Sequence, residues 1–188
     1  MKRSLEIITK RDLKKLLALA KSNMDAFFKN NPLYCEYQGN EVLIALCQGS
    51  AIHYIDKKNG VKDFDVWFFY PMKSGTLPYR RRGVVDFGKS KFGVHPDMEK
   101  QGFSGRTVDV LMRSDSFFSG ISPETEIVDY LLHRNTTTAK LLAEKAVVGL
   151  YPERVFGKTL WPCNKKTHPA FVCLRQTPSG WATDDTSR

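Results

Sequence analysis

From Thr9 onward, Leu13, Leu16, Leu17, Ala20, Met24, Phe27 and Phe28 recur three and four residues apart, with lysines filling the other face. That period predicts an amphipathic helix, capped by Thr9 and ended by Asn30-Asn31-Pro32. The apolar run from Glu41 to Gln48 has the length and composition of a buried strand and stops at Gly49-Ser50. Residues 50 to 58 then suit a short helix capped by Ser50 and closed by Asn59-Gly60 as a left-handed stop. A second strand is expected over Asp63 to Tyr70, terminated by Pro71. Strand alternation places Asp63, Asp65 and Trp67 on one of its faces and Phe64, Val66 and Phe68 on the other.

The stretch from Lys73 to Gly105 is rich in glycine and basic residues and reads as a hairpin or irregular excursion, with one strand-like piece at Gly83 to Phe87. Arg106 to Arg113 is again a strand, and Ser122-Pro123-Glu124 opens a helix with proline in its first turn. One or two helices are expected to fill 123 to 148. Beyond Tyr151-Pro152 periodicity is lost, and Thr177 to Arg188 has the polar make-up of a frayed tail. No internal repeat is present. The expectation is an α/β protein with a small mixed sheet flanked by helices. Its core would span residues 1–122, with a helical and irregular extension over 123–188 packed on that core and not independent.

Composition changes this picture little. A chain of 188 residues that is 41% hydrophobic can bury one sizeable core. No run approaches a membrane span, and Met1-Lys2-Arg3 leads into an amphipathic stretch where a signal peptide would be apolar, so a cytoplasmic location without membrane contact is expected. Cys35, Cys47, Cys163 and Cys173 do not form a disulfide framework, and Cys47 reads as core. Cys163, His168 and Cys173 lack a paired Cys-x-x-Cys and a fourth ligand, which disfavours zinc.

Charge does narrow the partners. The formal net charge is +9, which favours nucleotides, nucleic acid or an acidic protein. The excess is spread over the chain: residues 1–31 and 73–106 each carry eight Lys and Arg against three acids, and 154–175 carry five and none. Such spreading suits a solvated surface as well as a binding face.

One constellation carries chemistry. A strand ends in Gly49-Ser50, twelve residues follow, Asp63-Phe64-Asp65 opens a second strand, and Asp109 lies inside a third. Glycine lets a phosphate approach the backbone, Ser50 offers a hydroxyl, and the helix that follows presents free N–H groups to an anion. Asp63 and Asp65 project to one side, and a third carboxylate from a neighbouring strand would complete an oxygen cage suited to Mg²⁺. Asp109 is preferred for that third place, and Asp86, within Val84-Val85-Asp86-Phe87, is its competitor.

Cys47-Gln48-Gly49-Ser50, Asp63-Phe64-Asp65-Val66 and Val108-Asp109-Val110 together resemble the signature of the nucleotidyltransferase superfamily, the polymerase-beta-like fold. The resemblance covers about residues 42–113, and Gln48 is a polar departure from it. It implies that Gly49 and Ser50 bind a nucleoside triphosphate, with ATP as the default donor. It also implies that Asp63 and Asp65 ligate Mg²⁺ or Mn²⁺, and that Asp109 ligates one metal and helps deprotonate the acceptor hydroxyl. The basic balance tilts the acceptor towards RNA or tRNA, in a toxin-antitoxin or defence setting, with proteins and small molecules as other acceptors of such families. Arg80, Arg81 and Arg82, after Tyr79 and before Lys89 and Lys91, could grip a phosphate backbone, although a charge run is usually a solvated face. His53 and Tyr54 lie close enough to the phosphate turn to touch a ligand, but a lone histidine on a short helix is more often structural.

Two rival readings stand beside this one. The first is a catalytically silent module of the same fold that binds nucleic acid or a partner protein. The second is a metal-dependent phosphodiesterase or nuclease, in which the Gly-Ser turn would have no obvious purpose.

Overall fold

In the computed structural model, which describes residues 3–73, 82–95 and 97–161, helix α1 spans Lys10–Asn30. Its start is a reciprocal capping box. The Thr9 hydroxyl accepts from the Asp12 amide at 3.3 Å, while the Asp12 carboxylate accepts from the Thr9 amide at 2.8 Å. Leu13, Leu16, Ala20, Met24 and Phe28 are the buried stripe, spaced as the sequence period predicts. Thr9→Ala removes one half of the box and is expected to cost about 1 kcal/mol in urea unfolding; an unchanged midpoint would mean that packing alone sets the start of the helix.

The sheet has six strands: β1 (Leu43–Cys47), β2 (Phe64–Pro71), β3 (Arg82–Asp86), β4 (Thr107–Asp115), β5 (Val147–Tyr151) and β6 (Thr159–Trp161). Their spatial order is β3-β4-β2-β1-β5-β6, and only the β2–β4 pair is parallel. The protein is thus α/β, a mixed sheet flanked by helices. Alternation along β2 divides the interior as expected. Phe64, Val66, Phe68 and Tyr70 join the α1 stripe in one core, while Trp67 and Phe69 join Ile127, Tyr130 and Leu142 in another. The second core belongs to helices α3 (Pro123–His133) and α4 (Thr137–Ala143), which cover the opposite face. Helix α2 (Gln48–Asp56) contributes Ala51 to the α1 side.

Two expectations need correction. Helix α2 begins at Gln48, with Cys47 as its cap residue, so Ser50 is inside the first turn and does not cap it. The helix closes on Lys57 in the left-handed region, with Gly60 left-handed three residues later. The region expected as a helical and irregular extension also contains sheet: β5 pairs with β1, and β6 pairs with β5. Val147, Val148 and Leu150 are buried, so both faces of β5 are covered and no alternation was available to reveal it. The tail and the Cys163, His168, Cys173 trio fall outside the described residues. Among those described, no helix is long and apolar enough to cross a membrane.

Candidate functional site

The parallel β2–β4 pair places Asp65 and Asp109 side by side in register, and the antiparallel β1–β2 pair places Cys47 opposite Asp65. Asp63 precedes β2 by one residue, two positions from Asp65. Three acids therefore gather where β1 ends and β2 and β4 begin, on the face that α3 and α4 cover further along. Burial first, and then the charges of Asp63 and Asp109, push the Asp65 carboxyl up to about 7, while Lys145 and Arg82 pull the other way. Behind it, burial holds the Cys47 thiol well above its usual value, with the Asp65 charge adding to the effect. Cys47 is core.

Each acid has a polar neighbour. Gln48 Nε2 donates to Asp65 Oδ1 at 2.9 Å, and Lys145 Nζ donates to Gln48 Oε1 at 3.4 Å. Arg82 Nη2 donates to Asp109 Oδ2 at 2.6 Å, and that contact raises the guanidinium above its ordinary value. The other oxygen, Asp109 Oδ1, is buried and has no hydrogen-bond partner among the described residues. Lys62 Nζ stands 3.6 Å from Asp63 Oδ2.

The start of α2 completes the site. Gln48 has φ of 61°, a left-handed backbone that is uncommon outside glycine. Its amide bond to Ala146 O and its side-chain bonds to Asp65 and Lys145 hold it there. Gly49 follows, and a Cβ built on it meets nothing within 4 Å, so the space above this backbone is open. Ser50 is buried, and its hydroxyl donates to Cys47 O at 3.2 Å. The cleft here, about 230 Å³, is lined by Gly49, Asp63, Asp65, Lys62, Lys145 and Arg3 among others.

The remaining candidates separate clearly. Arg80 and Arg81 lie outside the described residues, and Arg82 stands on Asp109. Asp86 organises a loop: partial burial raises its carboxyl, but the amides of Ser104, Gly88 and Gly105 and the Ser104 hydroxyl more than offset this and leave it lowered. His53 is fully buried, with Nδ1 accepting from the Gly60 amide, so Nε2 carries the proton and donates to Glu6 O. Its role is structural. Tyr54 donates to Gly157 O at 3.4 Å, a contact between elements.

Sequence reasoning missed Lys62, Lys145 and Arg3, which only the fold brings to the cleft. It noted Gln48 as a departure without seeing its use. Among the described residues, no group of three or more His, Cys, Asp or Glu side chains is arranged to hold a metal ion. Compared with protein-family models, with curated proteins and with solved structures, the chain matches none.

Proposed function

We propose that this protein is a nucleotidyltransferase of the polymerase-beta-like fold: an acceptor hydroxyl, RNA or tRNA favoured, gives up its proton and attacks the α-phosphate of a nucleoside triphosphate, the α–β phosphoanhydride bond breaks, and pyrophosphate leaves. The observation that carries the reading is the register of Asp65 against Asp109, with Asp63 beside them and the open Gly49 backbone at the start of α2 next to them. Two features of the acids fit a divalent cation. Asp109 Oδ1 is buried without a hydrogen-bond partner among the described residues, and an ionised Asp65 is disfavoured by burial first and then by its acidic neighbours, the part that a cation would relieve. As they stand the three carboxylates are not arranged around an ion, and Arg82 occupies Asp109 Oδ2. Once Arg82 leaves, Asp63, Asp65 and Asp109 would hold Mg²⁺ or Mn²⁺, which when bound neutralises phosphate charge and makes the acceptor hydroxyl more acidic.

The chain's own groups do the rest. Gln48 fixes the orientation of the Asp65 carboxylate through the bond to Oδ1. Lys62, Lys145 and Arg3 supply positive charge around the cleft for a triphosphate, and Gly49 admits that triphosphate close to the α2 backbone. Asp109, once Arg82 leaves its Oδ2, can accept hydrogen bonds from an incoming hydroxyl.

A second reading, the catalytically silent binding module, is favoured by one observation. Arg82 and Gln48 already take an oxygen each of Asp109 and Asp65, as fixed internal partners would. Incubation with α-labelled nucleoside triphosphates, Mg²⁺ or Mn²⁺ and total cellular RNA tests both, comparing wild type with Asp65→Asn and Asp109→Asn. Label transferred to RNA by wild type and by neither variant supports the enzyme. No transfer by any of the three, with no metal-dependent triphosphate binding by calorimetry, leaves the silent module.

A further inference from the structure

Beside the carboxylate cleft lies a second cavity of about 290 Å³, lined by Arg3, Lys91, Arg106, Phe92, Gly93 and neighbouring residues. Among the described residues, its lining carries three cationic side chains and no acidic one. The two cavities share Arg3, so a cleft with carboxylates opens beside one without them. Such separation of charge is unlike a solvated surface, where the two signs intermix.

The second cavity is built, since its cations are fixed by the fold. Arg106 is 5% exposed, and its Nε donates to Phe92 O at 2.8 Å while Nη1 reaches Lys62 O at 3.5 Å. Arginine is rarely buried to that degree without a reason. Arg3 donates to Asn59 O at 3.1 Å, and Gly60 permits its approach, because a Cβ there would lie 2.9 Å from Arg3 Cβ. Lys91 Nζ is steered by Asp12 at 3.0 Å and lies over the Phe92 ring, which leaves other N–H groups of the ammonium to donate elsewhere.

We infer that this cavity binds a backbone phosphate of single-stranded RNA, so that the strand runs from the basic cavity past Arg3 towards the carboxylate cleft. The name of acceptor for that strand rests on the transferase reading; the binding itself does not. Arginine and lysine match phosphate, and although Asp12 takes one N–H of Lys91, no described carboxylate lines the cavity itself, so a concave basic site is left that concentrates the field attracting phosphate. Phe92 is buried, so base stacking contributes nothing here and the site should be indifferent to sequence.

The test is fluorescence anisotropy with a labelled single-stranded RNA of about twelve nucleotides, in EDTA, so that no metal and no transfer is involved. Wild type is compared with the Arg3→Gln/Lys91→Gln double variant and with Lys91→Arg. Lys29→Gln serves as a control, from the far end of α1 and about 25 Å from Asp12 along the helix. The double variant is expected to bind roughly tenfold more weakly, with a salt slope reduced by about 1 to 1.5, as loss of two phosphate contacts to a single strand implies. Lys91→Arg should retain binding, Lys29→Gln should not differ from wild type, and unchanged thermal melts show that all variants fold. Equal affinities and slopes for wild type and double variant overturn the inference, as does an equal loss in Lys29→Gln, which would mean diffuse attraction. Adenosine monophosphate that binds as tightly as the RNA also overturns it, because the site would then read a lone nucleotide. Failure of label transfer alone would count against the transferase reading and leave this site standing.

Discussion

Asp65→Asn is expected to stabilise the fold by roughly 4 kcal/mol at pH 8 and to leave its stability at pH 3.5 nearly unchanged. In the native state the Asp65 carboxyl is pushed up to about 7 from its ordinary 3.8. Below 3.8 both folded and unfolded chains hold the proton, and stability does not depend on this group. Between 3.8 and 7 the unfolded chain gives up the proton first, so it binds fewer protons than the native state and stability falls as pH rises. The fall amounts to about 1.4 kcal/mol per unit over some three units and levels off above 7. Asparagine carries no charge to be penalised and keeps an oxygen for Gln48 Nε2 to donate to, so it escapes the loss. Urea unfolding of both proteins at pH 3.5, 6 and 8 reads the difference. A gap between them that is as wide at pH 3.5 as at pH 8 would refute the assignment of the penalty to ionisation.

The same variant separates the acid cluster as a functional feature from the cluster as an accident of packing. A carboxylate that destabilises its own fold near neutrality has a use if a cation offsets the repulsion. Millimolar Mg²⁺ or Mn²⁺ should therefore raise the unfolding midpoint of wild type at pH 8 and leave that of Asp65→Asn unmoved. Absence of any cation effect on wild type would count against the metal reading while leaving the pH linkage intact.

Much of what positions this cluster was legible in the chain. The three- and four-residue period of α1, the Thr9 cap and the two-residue alternation of β2 report local geometry, which a sequence expresses directly. The alternation put Asp63, Asp65 and Trp67 on one face, and β2 keeps its two cores apart in that way. The partners of the acids were not legible. Lys145 meets Gln48 across 97 positions, and Arg82 meets Asp109 across 27; nothing local marks either pair. The start of α2 was misplaced because Ser50 has the chemistry of a helix cap, whereas its hydroxyl turns inward to Cys47 O. Strand β5 was hidden for the opposite reason, since burial on both faces erases the alternation that reveals a strand. Arg82 as a candidate phosphate contact shows the limit most clearly: a basic run is visible in sequence, but which member faces a carboxylate depends on the register of β3 against β4.

Gly105→Ala is expected to destabilise the protein by at least about 3 kcal/mol, at the upper end for an added methyl group in a packed site. The reason is collision and not backbone conformation. A Cβ on Gly105 would lie 2.1 Å from Gly88 O, 2.7 Å from Gly88 C and 2.8 Å from Gly88 N, all backbone atoms that no rotamer can move aside. The two segments are drawn this close by Asp86, whose Oδ1 accepts from the amides of both Gly88 and Gly105. Separating them would break those bonds and shift Phe87, whose ring packs 5.0 Å from Phe64 and 5.8 Å from Phe92. Gly93→Ala provides the contrast within the same excursion. Its φ of 71° strains an alanine, but a Cβ there meets nothing within 4 Å, so the cost should be about 1–2 kcal/mol of left-handed strain alone. Urea unfolding followed by circular dichroism ranks the two. A Gly105→Ala protein within about 1 kcal/mol of wild type, or one less affected than Gly93→Ala, would mean that the crossing yields easily. That result would remove the argument that Asp86 holds the excursion, and with it Lys91 and Arg106, in a fixed position beside the acids.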